Sequence, residues 1–304
     1  MPIDPMMKQI LDAVPFPQIA ELGPQKTRAM IAEQLGMLPP PVELPRIEDR
    51  TIDGDIPVRI YWPVADAKDL PVVVFYHGGG FVIGDLNTHD GMTRLIAAQT
   101  GAIVVAVDYR LAPEHPFPAA VDDAFTALKW VSAHAAELGA DPSRLAVAGD
   151  SAGGNLSAVV SQLARDAGGP AIKFQMLWYP ATAIDRSLPS MTQNADAPVL
   201  SVGDIDTFLG YYTGKDNTTD LPPTLAPARA ENLADLPQAY IAVAEYDPLR
   251  DDGIKYAELL RAAGVEVELH NAETLVHGYA AFSTMVPAAS EAFNQAVAAL
   301  KAAL

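Results

Sequence analysis

LAVAGDSAGGNLSAVVSQLAR, residues 145–165, sets a short apolar run, a glycine-flanked serine and a helical pattern in immediate succession. The run Leu145–Ala148 is predicted as a buried strand and residues 153–167 as a helix, so Ser151 falls on the turn between them. Gly149-Asp150-Ser151-Ala152-Gly153 fits the G-x-S-x-G form, in which a sharp strand-to-helix turn exposes a serine hydroxyl. Flanking glycines let neighbouring backbone crowd such a turn. A chain of this length would contain the form by chance about once in ten cases, so the strand before it and the helix after it carry the weight.

Outward from this unit the same alternation repeats. Apolar and β-branched runs predict strands at Ile56–Trp62, Val72–Tyr76, Ala102–Val107, Phe174–Tyr179, Ala239–Ala244 and Val265–His270. Helical periodicity predicts helices at 88–99, 118–138, 252–263 and 287–303. Strands alternating with helices argue for an α/β fold with a mostly parallel central sheet covered on both faces. Two segments stand outside the pattern. Residues 1–45 carry helical patterns at Met6–Val14 and Pro24–Leu35, broken by Pro15 and Pro17 and closed by Pro39-Pro40-Pro41. Residues 181–235, rich in Pro, Asp and Thr, are too long for an ordinary connection and are expected as an insertion above the sheet of a main domain spanning 46–304.

His77-Gly78-Gly79-Gly80 directly follows the strand at 72–76. A glycine run lets backbone amides approach an oxygen on which negative charge develops, and two amides from Gly78, Gly79 and Gly80 with that of Ala152 would make such a hole. A phosphate-binding loop is the weaker reading, because no Lys-Ser or Lys-Thr follows. An exposed serine needs a base, and the chain has six histidines. His77 belongs to the glycine loop and is expected to hold it. His89, His115 and His134 read as solvated or structural, and His270 lies inside a predicted strand. His277 remains, in the loop after that strand. Its orienting carboxylate is assigned to Asp247, immediately beyond the strand at 239–244. Asp251 and Asp252 are read as helix N-terminal charges and Glu245 as the last strand residue. Asp108 also ends a strand, but precedes the serine. His77, Ser151, Asp247 and His277 all lie just beyond the carboxyl ends of predicted strands, which share one edge in a parallel sheet.

Composition narrows the partners. Against 20 basic residues stand 38 acidic ones, a formal charge of −18 that repels nucleic-acid phosphates and anionic lipid. Without cysteine, disulfides and thiol catalysis are excluded. The N-terminus MPIDPMMKQILDAVPFP is interrupted by Asp4, Lys8 and Asp12 and is not read as a signal peptide, and no apolar run is long enough to span a membrane. A cytoplasmic protein is expected, with a small-molecule partner, no nucleic acid and no cofactor; a homodimer is compatible with these features.

Together, HGGGF at 77–81, DYRLAPEHPFPAA at 108–120, GDSAGGN at 149–155, DPLRDDG at 247–253 and VHGY at 276–279 resemble the ordered motifs of the hormone-sensitive-lipase-like family of microbial esterases, over residues 45–304. The resemblance implies an α/β-hydrolase fold with Ser151 as nucleophile, His277 as base and Asp247 as its partner. It implies an oxyanion hole from the glycines of the HGGG run and Ala152, and a helical cap built from residues 1–45 and part of 181–235. The order 151, 247, 277 is the Ser, Asp, His order of that fold. The implied reaction is hydrolysis of short- to medium-chain carboxylic esters through a serine acyl-enzyme. Two other readings use the same scaffold: an inactive small-molecule receptor, against which the presence of His277 argues, and an amidase, since a fold does not fix its reaction.

Overall fold

A computed structural model describes residues 1–14, 19–35, 42–53, 55–214 and 220–304. Pro15, Pro17 and Pro39-Pro40-Pro41, which punctuate the N-terminal reading, lie outside the described residues. Among the described residues eight strands form one sheet: β1 Arg46–Ile52, β2 Ile56–Trp62, β3 Leu70–Tyr76, β4 Ile103–Val107, β5 Ala140–Asp150, β6 Phe174–Trp178, β7 Gln238–Tyr246 and β8 Val267–Val276. Their order is β1-β2-β4-β3-β5-β6-β7-β8. Only β2 runs against its neighbours; β4, β3, β5, β6, β7 and β8 are parallel, so their carboxyl ends share one edge.

The helices are α1 Pro5–Ala13, α2 Ile19–Leu22, α3 Pro24–Leu35, α4 Asp90–Thr100, α5 Ala119–Ala133, α6 Ala135–Leu138, α7 Ala152–Asp166, α8 Pro189–Gln193, α9 Val202–Thr213, α10 Arg250–Ala262 and α11 Pro287–Ala303. Successive side chains of a strand point to opposite faces, and β3 shows what that does here. Val72, Val74 and Tyr76 join the core beneath α5 and α7, while Val73 and Phe75 join the core beneath α4 and α11. All five are fully buried. Burial on both faces explains why β4 and residues 72–76 of β3 read as unbroken apolar runs, each buried side chain contributing roughly 1.5–3 kcal/mol, and β6 departs from such a run only at Gln175, whose Nε2 donates to Pro237 O at 2.9 Å. A third cluster packs α10 against β7 through Ile241, Val243, Tyr256 and Leu260.

The structure is the α/β-hydrolase arrangement expected, with differences that have local causes. Strand β1 was not foreseen. Its sequence RIEDRTI is charged because it is an edge strand, where side chains need not be apolar. The helix expected over 118–138 breaks at His134, whose Nδ1 donates to the Trp130 carbonyl at 2.9 Å and caps α5. Strand β8 continues past His270 to Val276, hidden in the sequence by the polar Asn271 and Glu273 of this second edge strand.

The segments outside the alternation go to two places. Met7 of α1 is buried in the cluster on the α4 and α11 side, and the Asp4 amide donates to Thr274 O at 2.9 Å, so α1 lies by the end of β8. Helix α2 packs with α9 of the long insertion and with α3; Ile19 shares a core with Ile205, Leu209 and Tyr212. Ser201 and Asp204 form a reciprocal capping box that starts α9, and Gly214 at φ 65° ends it. Arg28 of α3 fixes α3 to the loops that follow β3 and β4, donating to Val82 O at 2.8 Å and Ala112 O at 2.9 Å. Among the described residues no helix is long and apolar enough to cross a membrane.

Candidate active site

Ser151 leaves β5 at φ 54° and ψ −115°, a conformation costing a non-glycine residue on the order of 1–3 kcal/mol. Its amide donates to Trp178 O at 2.8 Å, and its carbonyl accepts from Asn155 N at 3.0 Å within the first turn of α7, which together hold the turn. The bend is possible because neighbouring glycines leave room: a Cβ on Gly149 would lie 2.3 Å from Gly153 O.

Asp247 and His277 meet because of a register shift. Ala244 of β7 pairs with Ala272 of β8, but Tyr246 pairs with Val276, so β8 carries two residues more than β7 over that step. The extra residues bring Asp247 and His277 out of the sheet side by side. His277 Nδ1 lies 2.6 Å from Asp247 Oδ2 and its Nε2 lies 2.9 Å from Ser151 Oγ. Facing a carboxylate, Nδ1 carries the hydrogen and donates, leaving Nε2 to accept from the serine hydroxyl. Asp247 is wholly buried, and its other oxygen accepts the Leu249 amide at 2.8 Å. Asn194 braces the segment by donating to the carbonyls of Glu245 at 2.9 Å and Asp247 at 3.1 Å. The Tyr179 ring leans on the His277 imidazole at 4.8 Å between centroids.

The glycine loop divides by role. Gly78 gives its amide to Asp150 Oδ1 at 2.8 Å, so its place among the amides named for the oxyanion is corrected: that hydrogen is already committed. Gly79 and Gly80 donate to no protein acceptor among the described residues. Their φ angles are 117° and 60°, and a Cβ on Gly80 would sit 2.4 Å from the Phe208 ring of α9. Ala152, as the first residue of α7, has an amide with no intrahelical acceptor.

His77 holds this loop, as expected. Its Nδ1 donates to Gly78 O at 2.8 Å, its ring stacks on Tyr109 at 4.2 Å, and the Tyr109 hydroxyl donates to His77 O at 2.7 Å. Burial, with the neighbouring His89 adding to it, pulls its pKa down to about 4, so the ring is neutral. The sequence reading missed His89 and Asp150. His89 Nε2 lies 3.2 Å from Asp150 Oδ1, beside the elbow and not in solvent. Burial pushes the Asp150 carboxyl up, but His89, His77 and the Gly78 amide outweigh it and hold the group below the usual carboxylate range. Asp150 had been only the variable position of G-x-S-x-G; its proximity to Ser151 was the available signal. Asp252 is also more than a helix charge. It is fully buried and accepts the amides of Thr182, Ala183 and Ile184 at 2.8, 3.0 and 3.0 Å, tying the insertion to α10. Asp108 directly follows β4, on the other side of β3 from the elbow.

A parallel sheet that carries an elbow serine on a central strand, with its histidine beyond the last strand, is an α/β-hydrolase. The family model described as alpha/beta hydrolase fold matches residues 73–281, and the chain belongs to that family, in its hormone-sensitive-lipase-like branch. The chain is 57% identical to carboxylesterase NlhH of Mycobacterium tuberculosis, over 99% of this chain and 96% of that protein. It is 55% identical to esterase LipI of the same organism, over 99% of this chain and 95% of the other. Among solved structures, the hyperthermophilic esterase from the archaeon Pyrobaculum calidifontis superposes with a TM-score of 0.90 at 39% identity, covering 99% of both chains.

Proposed function

We propose that Ser151 is the nucleophile of a carboxylic ester hydrolase, with His277 as its base, Asp247 as the carboxylate that orients and steadies the imidazole, and the amides of Gly79, Gly80 and Ala152 as the oxyanion hole. The chain is a carboxylic ester hydrolase. The observation that carries the residue assignment is the unbroken hydrogen-bonded line from Asp247 Oδ2 through both nitrogens of His277 to Ser151 Oγ, at 2.6 and 2.9 Å. Ser151 Oγ attacks the ester carbonyl carbon while His277 Nε2 takes the hydroxyl proton. The imidazolium so formed is stabilised by the buried Asp247, and the charge arriving on the carbonyl oxygen by the amides. The tetrahedral intermediate collapses, the alcohol leaves with the proton from His277, and a water activated by the same nitrogen releases the acid from the acyl-enzyme.

Helices α2, α3 and α9 serve as a cap in this reading, with the expected N-terminal and inserted segments supplying its parts. Support comes from Phe208, which lies against Gly80, and from Val199, 3.7 Å from where a Cβ on Gly278 would stand. Such apolar walls suit short- to medium-chain acyl esters. Organophosphate labelling followed by peptide mapping, with rates on p-nitrophenyl esters of rising acyl length, tests the assignment. Label on Ser151, and a Ser151→Ala variant that stays folded but loses at least about 10³-fold in rate, are expected. Label on another serine, or turnover by the Ala variant at the parent rate, would refute it.

A further inference from the structure

We propose that Asp150 is a positioning residue that sets the oxyanion loop against the nucleophile elbow, a role that rests on the reading of Ser151 and the loop amides given above. Strands β3 and β5 are parallel neighbours with Tyr76 opposite Gly149, so the glycine loop and the elbow leave the sheet side by side. Asp150 spans the gap between them. Its Oδ1 takes the Gly78 amide at 2.8 Å, and a Cβ on Gly78 would lie 2.3 Å from its Oδ2 and 2.9 Å from its Cγ. Gly78 is therefore glycine for a different reason from Gly79 and Gly80, which adopt positive φ. The carboxylate fills the place its side chain would take.

The carboxylate is itself fixed. His89 Nε2 approaches the same oxygen to 3.2 Å, while His89 Nδ1 is anchored to Thr88 Oγ1 at 2.8 Å. Asp150 is 7% exposed, so the contact is shielded from water. A hydrogen bond from an amide to a buried carboxylate is about twice as strong as one between neutral groups. It orients the peptide immediately before the two that carry the Gly79 and Gly80 amides, and oxyanion donors work only when held in place before the charge arrives. Because Asp150 is also the residue that precedes Ser151, one side chain fixes the donors relative to the attacking oxygen.

The test compares Asp150→Asn and Asp150→Ala with the parent enzyme, measuring kcat and KM on a p-nitrophenyl ester and the affinity of an aryl boronic acid, whose tetrahedral serine adduct draws on the oxyanion donors. The alanine variant is expected to lose about 10²-fold in kcat with KM within about threefold, and the asparagine variant, which retains an acceptor for Gly78, about 3–10-fold. Boronate affinity should fall in each variant by the factor lost in kcat/KM. If the alanine variant does not fold, the asparagine variant carries the comparison alone. The proposal is overturned by variants with parental kcat, by a loss confined to KM, or by a drop in kcat that leaves boronate affinity intact. Ser151→Ala, assayed alongside, separates the two readings, since its retained activity would refute the assignment of Ser151 whatever the Asp150 variants do.

Discussion

A Cβ on Gly153 would stand 1.9 Å from the carbonyl oxygen of Tyr76, so α7 starts in direct backbone contact with the end of β3. The elbow is thereby pressed against the strand that delivers the glycine loop. Both contacting atoms belong to backbone fixed in the sheet or the helix, and neither can step aside cheaply. Gly153→Ala is expected to destabilise the protein by about 3 kcal/mol or more through overpacking. Urea denaturation would show this as a lower midpoint; a midpoint equal to the parent's would mean that the helix can slide away from β3.

Asp247→Asn should leave the fold in place and lower kcat by about 10³–10⁴-fold, because an amide cannot both accept from His277 Nδ1 in the required tautomer and balance the imidazolium. Asp247→Ala is expected to cost stability as well, since Asp247 and His277 are both buried and the Leu249 amide would lose its acceptor. Steady-state kinetics with thermal melts separates the two effects. An Asn variant with parental kcat would remove Asp247 from the mechanism.

Phe208 lies where α9 touches Gly80, so its ring bounds the space beside the proposed oxyanion hole. Burial of an acyl methylene against such a wall is worth about 0.8 kcal/mol, or about fourfold in kcat/KM per carbon. Phe208→Ala should flatten the dependence of kcat/KM on acyl length across a p-nitrophenyl series. An unaltered profile would place the acyl chain elsewhere.

His77 makes acid stability predictable in sign. Its folded pKa of about 4 lies below the ordinary 6.5, chiefly through burial. Between these values the unfolded chain holds the proton and the folded one does not, so the contribution is full above pH 6.5 and is lost as pH falls towards 4, by about 3 kcal/mol in all. Asp252 acts the other way. Burial raises it from 3.8 to about 6, so its contribution is full below pH 3.8 and is lost as pH rises through 6. His77→Phe, which keeps a ring against Tyr109, should show a shallower fall of Tm between pH 6.5 and 4, and Asp252→Asn a steeper one. Calorimetry across that range checks both; parallel curves for all three proteins would contradict the assignment.

Most of the sheet was legible because β4, β6 and the carboxyl-terminal parts of β3 and β5 are buried on both faces and therefore spell themselves out in mainly apolar residues, whereas the first half of β5, ADPSR, is largely polar and partly exposed. Strand β1 and the stretch of β8 from Asn271 to Val276 were not, since edge strands face water and mix charges into their sequence. Ser151, His277 and Asp247 could be picked out by where they follow strands, but the register shift that joins the last two lies in pairing between β7 and β8, which no local pattern encodes. Asp150 and His89 escaped for a related reason: their partnership spans β5 and the approach to α4, and neither residue is unusual in its own segment.

The bulged pairing of β8 with β7 also bears on how activity is lost. Ser151 and His277 are 126 residues apart in the chain, and His277 reaches the serine only while an outermost strand, bonded along one side, keeps its irregular register. Outer strands exchange their amide hydrogens through partial openings that leave the rest of a protein intact. Detachment of β8 with α11 would withdraw the imidazole while the inner strands stayed assembled. Turnover in rising denaturant should then vanish before circular dichroism changes, and the slow return of this long-range contact should make activity the last property recovered on refolding.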